Sequence, residues 1–342
     1  MASLPSTYKA VVIEKANGPF SIVSRPLQAP AAGEVLVKVL ACGVCFSDVA
    51  IASGEMGSHV FPRVPGHEIV GDVVQVGDGV GSNLSVGERV GGPWHGGHDG
   101  TCRACQRAQF QMCDNELVNG YSKDGGFAEY VLLRAEAVAR VPRDMDPAQV
   151  APLLCAGVTV FNGIRKLRVE QGALVAVQGL GGLGHLAVQY ASKMGYEVAV
   201  LSSGDDKADF AKQLGAHHYI NSKAKDATEE LKKLGGASII VQTAPNPKIV
   251  GPLVAALAPE GKLLSLAPVG PVEFDTVSLV LKGASVQGWP SGHALDSEEA
   301  IRFARNHGVK CMIEKYPFAD VQKAVDSLVA GKPRFRNVLV MQ

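Results

Sequence analysis

The sequence has no excess of either charge: 33 lysines and arginines balance 33 aspartates and glutamates over 342 residues. A chain without a cationic surplus is poorly suited to nucleic acid or an anionic membrane surface as its main partner. It also lacks a run of about 18 apolar residues, the length of a membrane-spanning helix. Its first residues, MASLPSTYKA, lack the apolar core of a secretion signal. We therefore expect a cytoplasmic protein with no nucleic-acid or membrane partner.

Cysteine is scarce, and its count of seven is odd. Three of the seven lie within Cys102–Cys113. In a reducing compartment such clustering is more typical of metal binding than of disulfides. Hydrophobic residues make up 46% of the chain and charged residues 19%, so a large core can form. The length exceeds that of one typical domain and predicts two.

The stretch Ala173–Lys207 carries the strongest local pattern. Ala173–Gln178 is apolar enough for a strand buried on both faces, and glycines in the order G-x-G-x-x-G follow it, then an apolar helical run and a second strand at Val198–Leu201. In that setting the glycines allow a tight turn, the approach of a pyrophosphate, and close packing of helix on strand. The helix N-terminus offers free N–H groups to phosphates. The alternative is a glycine-rich turn with no ligand. The predicted cofactor loop comprises Gly179, Leu180, Gly181, Gly182, Leu183 and Gly184.

The pattern of predicted elements changes at about Leu153. Residues 8–150 are β-rich, with strand-like runs at Glu34–Leu40 and Ile69–Val76. Strands and helices then alternate, which predicts parallel β-α-β units. The predicted strands are 173–178, 197–201, 217–220, 237–241, 262–267 and 284–287, with helices at 182–194, 205–214, 225–234 and 246–258. The tail predicts helices near 296–306 and 318–330 and a strand at 336–341. We therefore predict an α/β chain in which residues 1–154 and 289–342 form one domain and residues 155–288 form an inserted nucleotide-binding domain.

Three residues far apart in the chain are of metal-ligand type. Cys45 lies in A-C-G-V-C-F-S-D, His67 in P-G-H-E, and Cys155 in L-C-A-G-V-T. Each of them alone would more often be a buried thiol or a hydrogen-bonded histidine. Together, two thiolates and one imidazole are a known catalytic zinc set that leaves one position open for water or substrate.

The motifs occur in a characteristic order along nearly the whole chain. They are C-G-V-C-x-S-D, then G-H-E-I-V-G continuing to Gly77 and Val80, a cysteine-rich lobe, C-A-G-V-T and G-L-G-G-L-G. This order resembles the zinc-containing alcohol dehydrogenases of the medium-chain dehydrogenase/reductase superfamily. The resemblance implies a GroES-like β-rich catalytic domain and a Rossmann domain with a doubly wound, six-stranded parallel sheet.

The resemblance also implies roles for single residues. Cys45, His67 and Cys155 match the ligands of the catalytic zinc, and Glu68 matches an acid that can coordinate the metal transiently. Asp48 matches a carboxylate that orients the ligand histidine, as ligand imidazoles generally require. The remaining matches are Ser47 as acceptor of the substrate proton, Thr159 beside the nicotinamide, and Arg336 on the cofactor pyrophosphate, where its planar fork suits phosphate. Without the resemblance, Arg336 would be interpreted as a solvated surface charge.

Two positions near Cys45 depart from the family pattern. Many relatives carry a histidine at the end of the proton relay, and this chain has Ala50 there. The relay is therefore expected to end at the ribose hydroxyl and water. Relatives often have a basic residue or histidine after the first cysteine ligand, whereas Phe46 stands here, so one phosphate contact is missing.

A third departure lies in the lobe at 95–115. The family spacing for a structural zinc is C-x2-C-x2-C-x7-C, and here aspartate replaces the first thiolate. Carboxylate oxygen is an acceptable zinc ligand, so we expect a closed tetrahedral site. His95 and His98 are alternatives for the fourth ligand, and a lost site with three leftover thiols is the remaining possibility. The expected ligands are Asp99, Cys102, Cys105 and Cys113.

The end of the second Rossmann strand decides between the two nicotinamide cofactors. An acid there would bind the ribose 2′-hydroxyl and select NAD. Ser202 and Ser203 stand there instead, with Lys207 near, which is similar to cinnamyl alcohol dehydrogenase-type members and suits a 2′-phosphate. Asp205 and Asp206 are expected to serve the N-terminus of the next helix. We therefore favour NADP over NAD.

These features predict a zinc-dependent alcohol dehydrogenase or aldehyde reductase with two Zn²⁺ per chain. Phe46, Trp94 and Trp289 are candidates for an apolar pocket, so an aromatic or medium-sized apolar primary alcohol is expected as substrate. The alternatives are a zinc-free quinone or enoyl reductase and a non-catalytic cofactor-binding protein. The apolar strand near Ala284–Gln287 lacks protective charge, which predicts pairing in a homodimer or homotetramer.

Overall fold

A computed structural model gives the fold and describes residues 4–57, 60–82 and 84–341. The chain divides into two compact units. The first takes in the chain up to Cys155, Gly292–Arg305 and the chain from Lys310. The second takes in Ala156–Ser291 and Asn306–Val309. The predicted boundary between 154 and 155 lies one residue before the observed one, and that between 288 and 289 lies three residues before it.

The strands and helices are numbered here in chain order. The strands are β1 Thr7–Val12, β2 Ser21–Pro26, β3 Glu34–Val44, β4 Ile69–Val76, β5 Arg89–Gly92, β6 His95–Gly97, β7 Leu117–Val118, β8 Tyr130–Arg134, β9 Ala139–Arg140, β10 Leu174–Gln178, β11 Glu197–Ser202, β12 His218–Asn221, β13 Ala237–Gln242, β14 Leu257–Ser265, β15 Ser285–Gly288, β16 Ile313–Pro317 and β17 Arg336–Val340. The α-helices are α1 Phe46–Ser53, α2 Arg103–Gln106, α3 Pro147–Val150, α4 Ala156–Lys166, α5 Gly184–Lys193, α6 Ala208–Gln213, α7 Ala227–Lys233, α8 Pro247–Val250, α9 Thr276–Lys282, α10 Ala294–His307 and α11 Val321–Val329. Short 3-10 helices lie at Phe110–Met112, Ala135–Ala137, Ala151–Leu154, Gly251–Ala256 and Phe318–Asp320.

The first unit is built on a sheet with the order β16-β17-β3-β4-β5-β9, with β8 also paired to β3. Strand β3 is the centre of this sheet because its alternating valines and leucines are buried along most of its length. It pairs antiparallel with β4, β8 and β17. Valines of β3, β4 and β8 pack with Phe127 and with α11 in one core. This core fixes the ends of β3, β4 and β17, from which the candidate site is built.

The second unit carries a six-stranded parallel sheet in the order β12-β11-β10-β13-β14-β15. Strand β10 is buried at every position, as its continuous apolar run predicts. The chain runs from β10 to β11 and β12 on one side and then crosses to β13, β14 and β15 on the other side of β10. The strand order therefore reverses next to β10. The parallel sheet predicted from the alternating pattern is therefore confirmed, as is the doubly wound, six-stranded form that the resemblance implies, and its switch point lies at the glycine-rich loop.

The predicted helix at 246–258 is wrong in form. The structure has one turn of α-helix at Pro247–Val250 and then a 3-10 helix at Gly251–Ala256, and the next residues already belong to β14. Pro252 provides the reason, since a proline inside a helix lacks the N–H donor and its ring clashes with a carbonyl one turn earlier.

Among the described residues no single helix is long and apolar enough to cross a membrane. One bent pair, Pro147–Leu154 with Ala156–Lys166, passes that test by length and composition only.

Candidate active site and metal centres

The first candidate metal centre lies where three chain segments of the first unit meet. Cys45 follows β3 and starts α1, His67 directly precedes Glu68 and β4, and Cys155 follows the 3-10 helix at Ala151–Leu154. Because β3 and β4 are antiparallel with Cys42 opposite Ile69, the end of one strand and the start of the next lie side by side. The ligand atoms of Cys45, His67, Glu68 and Cys155 all lie within 4.8 Å of one another.

The orientation of His67 is fixed by Asp48. Both side chains are fully buried, and His67 Nδ1 lies 3.1 Å from Asp48 Oδ1. An ionised carboxylate only accepts hydrogen bonds, so Nδ1 carries the proton and Nε2 is left with a free lone pair. The same carboxylate accepts the backbone N–H groups of Cys45 at 2.8 Å and Gly66 at 3.1 Å. Asp48 therefore holds three parts of the cluster at once.

The donor set fits zinc. Nε2 of His67 is buried without a hydrogen-bond partner among the described residues, which is costly unless a ligand completes it. Cys155 hydrogen-bonds to Cys45 and lowers the pKa of the Cys45 thiol well below its ordinary value, against the opposing effect of burial. Arg336 adds positive charge that favours the Cys45 thiolate. A thiolate and an imidazole lone pair are the forms in which these side chains bind zinc.

Glu68 and Arg336 form a buried ion pair beside the cluster. Both lie at the same end of β3, because β4 and β17 flank that strand antiparallel and Asn337 pairs with Val44. Burial raises the pKa of Glu68 to about 7, although Arg336 opposes that shift. A Cβ on Gly43 would overlap the Glu68 carboxylate, so this position requires glycine for space.

The placement of Arg336 differs from the surface charge that its sequence context alone suggests. The residue is only 3% exposed and its guanidinium is engaged with Glu68, while its Nε is buried without a partner among the described residues. A contact between Arg336 and the cofactor pyrophosphate stays a prediction. In this structure the residue supplies the positive charge that faces Glu68 and the two thiols.

The side chains predicted to handle substrate are distributed over both units. Ser47 Oγ lies 3.8 Å from Cys45 Sγ, and the Trp94 ring meets the His67 ring edge to face at 5.0 Å. Phe46 is 59% exposed at the start of α1. Trp289 lies in the second unit, where its indole N–H donates to the Ser291 carbonyl at 3.1 Å. Ser47 and Trp94 therefore lie at the first metal centre, and Trp289 is a residue of the second unit.

The second candidate metal centre is the lobe predicted from its spacing. The structure brings ligand atoms of Asp99, Cys102, Cys105 and Cys113 within 4.8 Å of one another, with 3.8 Å between the sulfurs of Cys102 and Cys113. Three thiols and a carboxylate are a donor set that suits a closed zinc site.

Asp99 is held firmly in the lobe. Its Oδ1 accepts the backbone N–H groups of Thr101 at 2.7 Å and Cys102 at 3.0 Å, and its Oδ2 accepts the Asn115 amide at 2.7 Å. The Cys102 N–H bond, then Asn115 and Thr101, lower the pKa of Asp99 well below its usual range. The carboxylate is thus ionised and retains lone pairs for a cation.

The two histidines considered as alternative ligands lie in a separate arrangement. His95 Nδ1 is 2.9 Å from Glu116 Oε1, and its Nε2 is 3.1 Å from His98 Nδ1. His98 also stacks on Phe110. Neither histidine belongs to the four-residue group around Asp99.

The glycine-rich loop of the second unit connects β10 to α5. Gly179 has a φ of +97°, which L side chains rarely adopt, and a Cβ on Gly184 would overlap the Gly179 carbonyl oxygen. An added Cβ on Gly181 would meet nothing within 4 Å, so the backbone there is open to a ligand. Leu180 is buried, Gly182 and Leu183 are half-buried, and Thr159 is buried in α4. These properties fit the cofactor roles predicted for the loop.

The loop after β11 is held from the neighbouring strand β12. Tyr219 Oη donates to the Gly204 carbonyl at 2.7 Å, and Asn221 accepts the Gly204 N–H and donates to Asp205 Oδ1, each at 3.0 Å. Asp205 was expected to cap the next helix, but α6 begins after Lys207 without a side-chain cap. The Asp205 carboxylate accepts the Asn221 amide instead, which explains why it does not cap α6.

The predicted 2′-phosphate residues have different exposures. Ser202 is 7% exposed at the end of β11. Ser203 is exposed, and Lys207 is half-buried.

Two family models match the chain: the alcohol dehydrogenase GroES-like domain over residues 31–143 and the zinc-binding dehydrogenase over residues 182–331. A Penicillium expansum alcohol dehydrogenase, patD, is 51% identical over 340 residues, covering 99% of both chains.

Two solved structures share the fold at a TM-score of 0.86 and 26% identity. One is the Helicobacter pylori cinnamyl alcohol dehydrogenase complexed with NADP(H), for which the match covers 98% of this chain and 99% of the other. The other is the Geotrichum candidum acetophenone reductase in complex with NAD, with 99% and 98% covered. The β-rich first unit is therefore GroES-like, as predicted.

Several residues at these sites were not found from the sequence. Asn115, which holds Asp99, and Tyr219 and Asn221, which hold the loop after β11, have no motif of their own. The pairing of Glu68 with Arg336 joins residues 268 positions apart. Only the strand pairing brings these two residues together, and no local sequence signal indicates it.

Proposed function

The chain belongs to the zinc-containing alcohol dehydrogenases of the medium-chain dehydrogenase/reductase superfamily, and we propose that it catalyses reversible hydride transfer between a primary alcohol and NADP(H). The observation that carries this proposal is the buried Cys45, His67 and Cys155 set with a free imidazole Nε2. Its ligand atoms lie in one group, next to the half-buried hydroxyl of Ser47.

Zinc and a nicotinamide cofactor, when bound, supply the polarisation of the substrate oxygen and the hydride acceptor or donor. Asp48 keeps the proton of His67 on Nδ1, so that Nε2 stays available for the metal. Ser47 receives the proton of the alcohol and passes it outward. Ala50 has no ionisable group, so the proton continues to solvent without a terminal protein base. The Glu68 carboxylate pairs with the Arg336 guanidinium and so balances the positive charge that Arg336 places beside the thiols.

The preferred cofactor is NADPH. Support comes from the residues at the end of β11, where Ser202 and Ser203 replace the acid that would bind a free ribose hydroxyl. Hydroxyl groups donate hydrogen bonds to phosphate oxygens, and Lys207 adds a positive charge. NAD is the alternative.

The substrate is an aromatic or medium-sized apolar primary alcohol, or the corresponding aldehyde. Support comes from Trp94, whose ring contacts the ligand imidazole of His67, and from the exposed Phe46 ring one residue after Cys45. Flat apolar rings favour flat apolar substrates.

The protein functions as a homo-oligomer in the cytoplasm. The support for this location is that cysteines grouped as candidate metal ligands are typical of a reducing compartment. Helix α9 has no buried residue, with Val280 and Leu281 at 79% and 81% exposure. It lies next in the chain to the edge strand β15, which offers unpaired backbone groups.

The proposal is tested by a panel of aromatic, aliphatic and polar alcohols and aldehydes with NADPH and with NADH. Turnover of aromatic or medium-sized apolar primary substrates with NADPH, lost after zinc removal, is the expected result. Turnover that survives complete zinc removal would contradict it.

A further inference from the structure

The first unit contains a cavity that involves neither metal centre. Its volume is about 220 Å³, and Lys123 lines it together with Tyr8, Arg25, Glu34, Asp124 and Tyr130. Leucine and valine side chains form most of the rest of the wall, including those of Leu36 on β3 and Val131 on β8. The Tyr8 and Tyr130 rings meet edge to face with centroids 6.1 Å apart. The cavity therefore places aromatic and apolar side chains beside Lys123, together with the charged side chains of Arg25, Glu34 and Asp124.

Two charged side chains of the wall, Arg25 and Asp124, are paired with each other. Asp124 accepts Arg25 Nη1 at 2.6 Å and Arg63 Nη1 at 3.0 Å, and its Oδ1 also accepts the Val64 N–H. Asp124 is thus satisfied by two guanidinium groups and is not the partner of its neighbour Lys123. A ligand without charge suits such a cavity better than an ion.

Lys123 has an unusual environment for a lysine. Its Nζ donates to the Leu132 carbonyl at 3.1 Å, and within the described part of the chain no carboxylate lies at ion-pair distance from it. Burial lowers the pKa of Lys123 to about 8. Glu34 opposes that shift, Arg134 supports it, and Glu136 and Asp124 oppose it. The bond to Leu132 uses an N–H group and leaves the lone pair of the neutral amine free.

We propose that Lys123 is a site of reversible imine formation with small aromatic or apolar aldehydes that enter this cavity. The Nζ lone pair attacks the carbonyl carbon, and the carbonyl oxygen takes up a proton to give a carbinolamine. Loss of the hydroxyl as water, together with the second amine proton, leaves the C=N bond. One aldehyde and one amine thus give one imine and one water, with no change of oxidation state.

The pH dependence follows from the amine. Half of the Lys123 side chains carry a free amine at about pH 8, whereas a lysine with the ordinary pKa of about 10.4 has roughly one free amine in 250 at that pH. The reaction at Lys123 therefore rises through pH 8 and levels off above it, while an ordinary lysine continues to gain reactivity up to about pH 10.

The test uses the intact protein, benzaldehyde as probe and cyanoborohydride to reduce the imine to a stable amine, followed by peptide mass spectrometry. No nicotinamide cofactor is added, so the outcome does not depend on the proposed dehydrogenase reaction. The exposed Lys38 on β3 is the internal control. At pH 7.5 we expect at least tenfold faster labelling at Lys123, saturating with benzaldehyde concentration, and linear labelling at Lys38.

Two further measurements make the test specific. Pyrene-1-carboxaldehyde has a much larger ring system than benzaldehyde and should show a smaller preference for Lys123. Lys123→Arg should remove the saturating phase and leave turnover in the alcohol assay unchanged. The wild-type protein alone can overturn the proposal. It would do so if Lys123 were labelled no faster than Lys38, or if the rate of labelling at Lys123 were linear in benzaldehyde concentration.

Discussion

The Asp48 carboxylate lies 3.1 Å from Nδ1 of His67, with both side chains completely buried. The same carboxylate accepts the Cys45 and Gly66 N–H groups, so one side chain links α1 to the segment before β4. A carboxylate can accept three such bonds on two oxygens, whereas an amide has one oxygen to offer.

Asp48→Asn should therefore weaken zinc binding at this centre by about 10–100-fold, because the amide cannot accept all three hydrogen bonds. The measurement is zinc retained per chain after dialysis against a graded series of chelators. Asp72→Asn, which changes a half-exposed carboxylate paired with Arg89 on β4 and β5, serves as the control. Unchanged zinc retention in Asp48→Asn would show that Asp48 has no role in orienting His67.

The lobe should hold a second zinc through Asp99, Cys102, Cys105 and Cys113, since their ligand atoms form one group. Metal analysis of the purified protein should then give two zinc ions per chain, and Cys105→Ser should give one. Asp99→Asn keeps an oxygen that can accept the Thr101 and Cys102 N–H groups but removes the negative charge. It therefore distinguishes a role of Asp99 as zinc ligand from a role in holding the loop. One zinc per chain in the wild type, unchanged by Cys105→Ser, would contradict the second site.

NADPH should be preferred over NADH, and Ser202→Asp should reverse that preference. A carboxylate at the end of β11 accepts a bond from a free 2′-hydroxyl but repels a phosphate of about −1.5 to −2 charge. The measurement is kcat/KM for both cofactors in each protein. Asp206→Asn, which changes the charge of the same loop, should leave the preference as it is. A wild-type protein that prefers NADH would contradict the cofactor role proposed for this loop.

Light scattering at micromolar concentration should give a dimer or tetramer. Val280→Glu should shift the protein toward monomer, because a charge would be buried against the apolar face of α9 in the assembly. Val329→Glu, at a residue 59% exposed in the first unit, is the matched control and should leave the mass unchanged. A wild-type protein of monomer mass would remove the oligomer proposal.

Local patterns were sufficient to predict much of the fold. The continuous apolar run of β10 and the glycines that follow it predicted a buried strand, a turn and a helix, because each depends on neighbours in sequence. The helix predicted at 246–258 was wrong because the prediction ignored what Pro252 does to the helix interior. The edge strand predicted at 284–287 is β15, displaced by one residue.

The candidate metal ligands could be named from the sequence because each sits in a motif, whereas the pairing of Glu68 with Arg336 could not be predicted. Arg336 reaches Glu68 only because β17 and β4 flank β3. Lys123 looks like an ordinary loop lysine, and its burial depends on how β8 and β3 pack around the cavity. Such environments arise from contacts between distant parts of the chain and leave no local pattern.

The central claim is that Cys45, His67 and Cys155 hold the zinc on which turnover depends. It is tested most directly by Cys45→Ala, with zinc content, turnover and NADPH affinity measured on the same preparation. Cys42→Ala, which removes a buried thiol outside the metal group, is the control and should keep both zinc and activity. We predict that Cys45→Ala loses one zinc per chain and all measurable turnover while its NADPH affinity changes less than threefold. Near-normal turnover in a Cys45→Ala protein shown to lack that zinc would contradict the account.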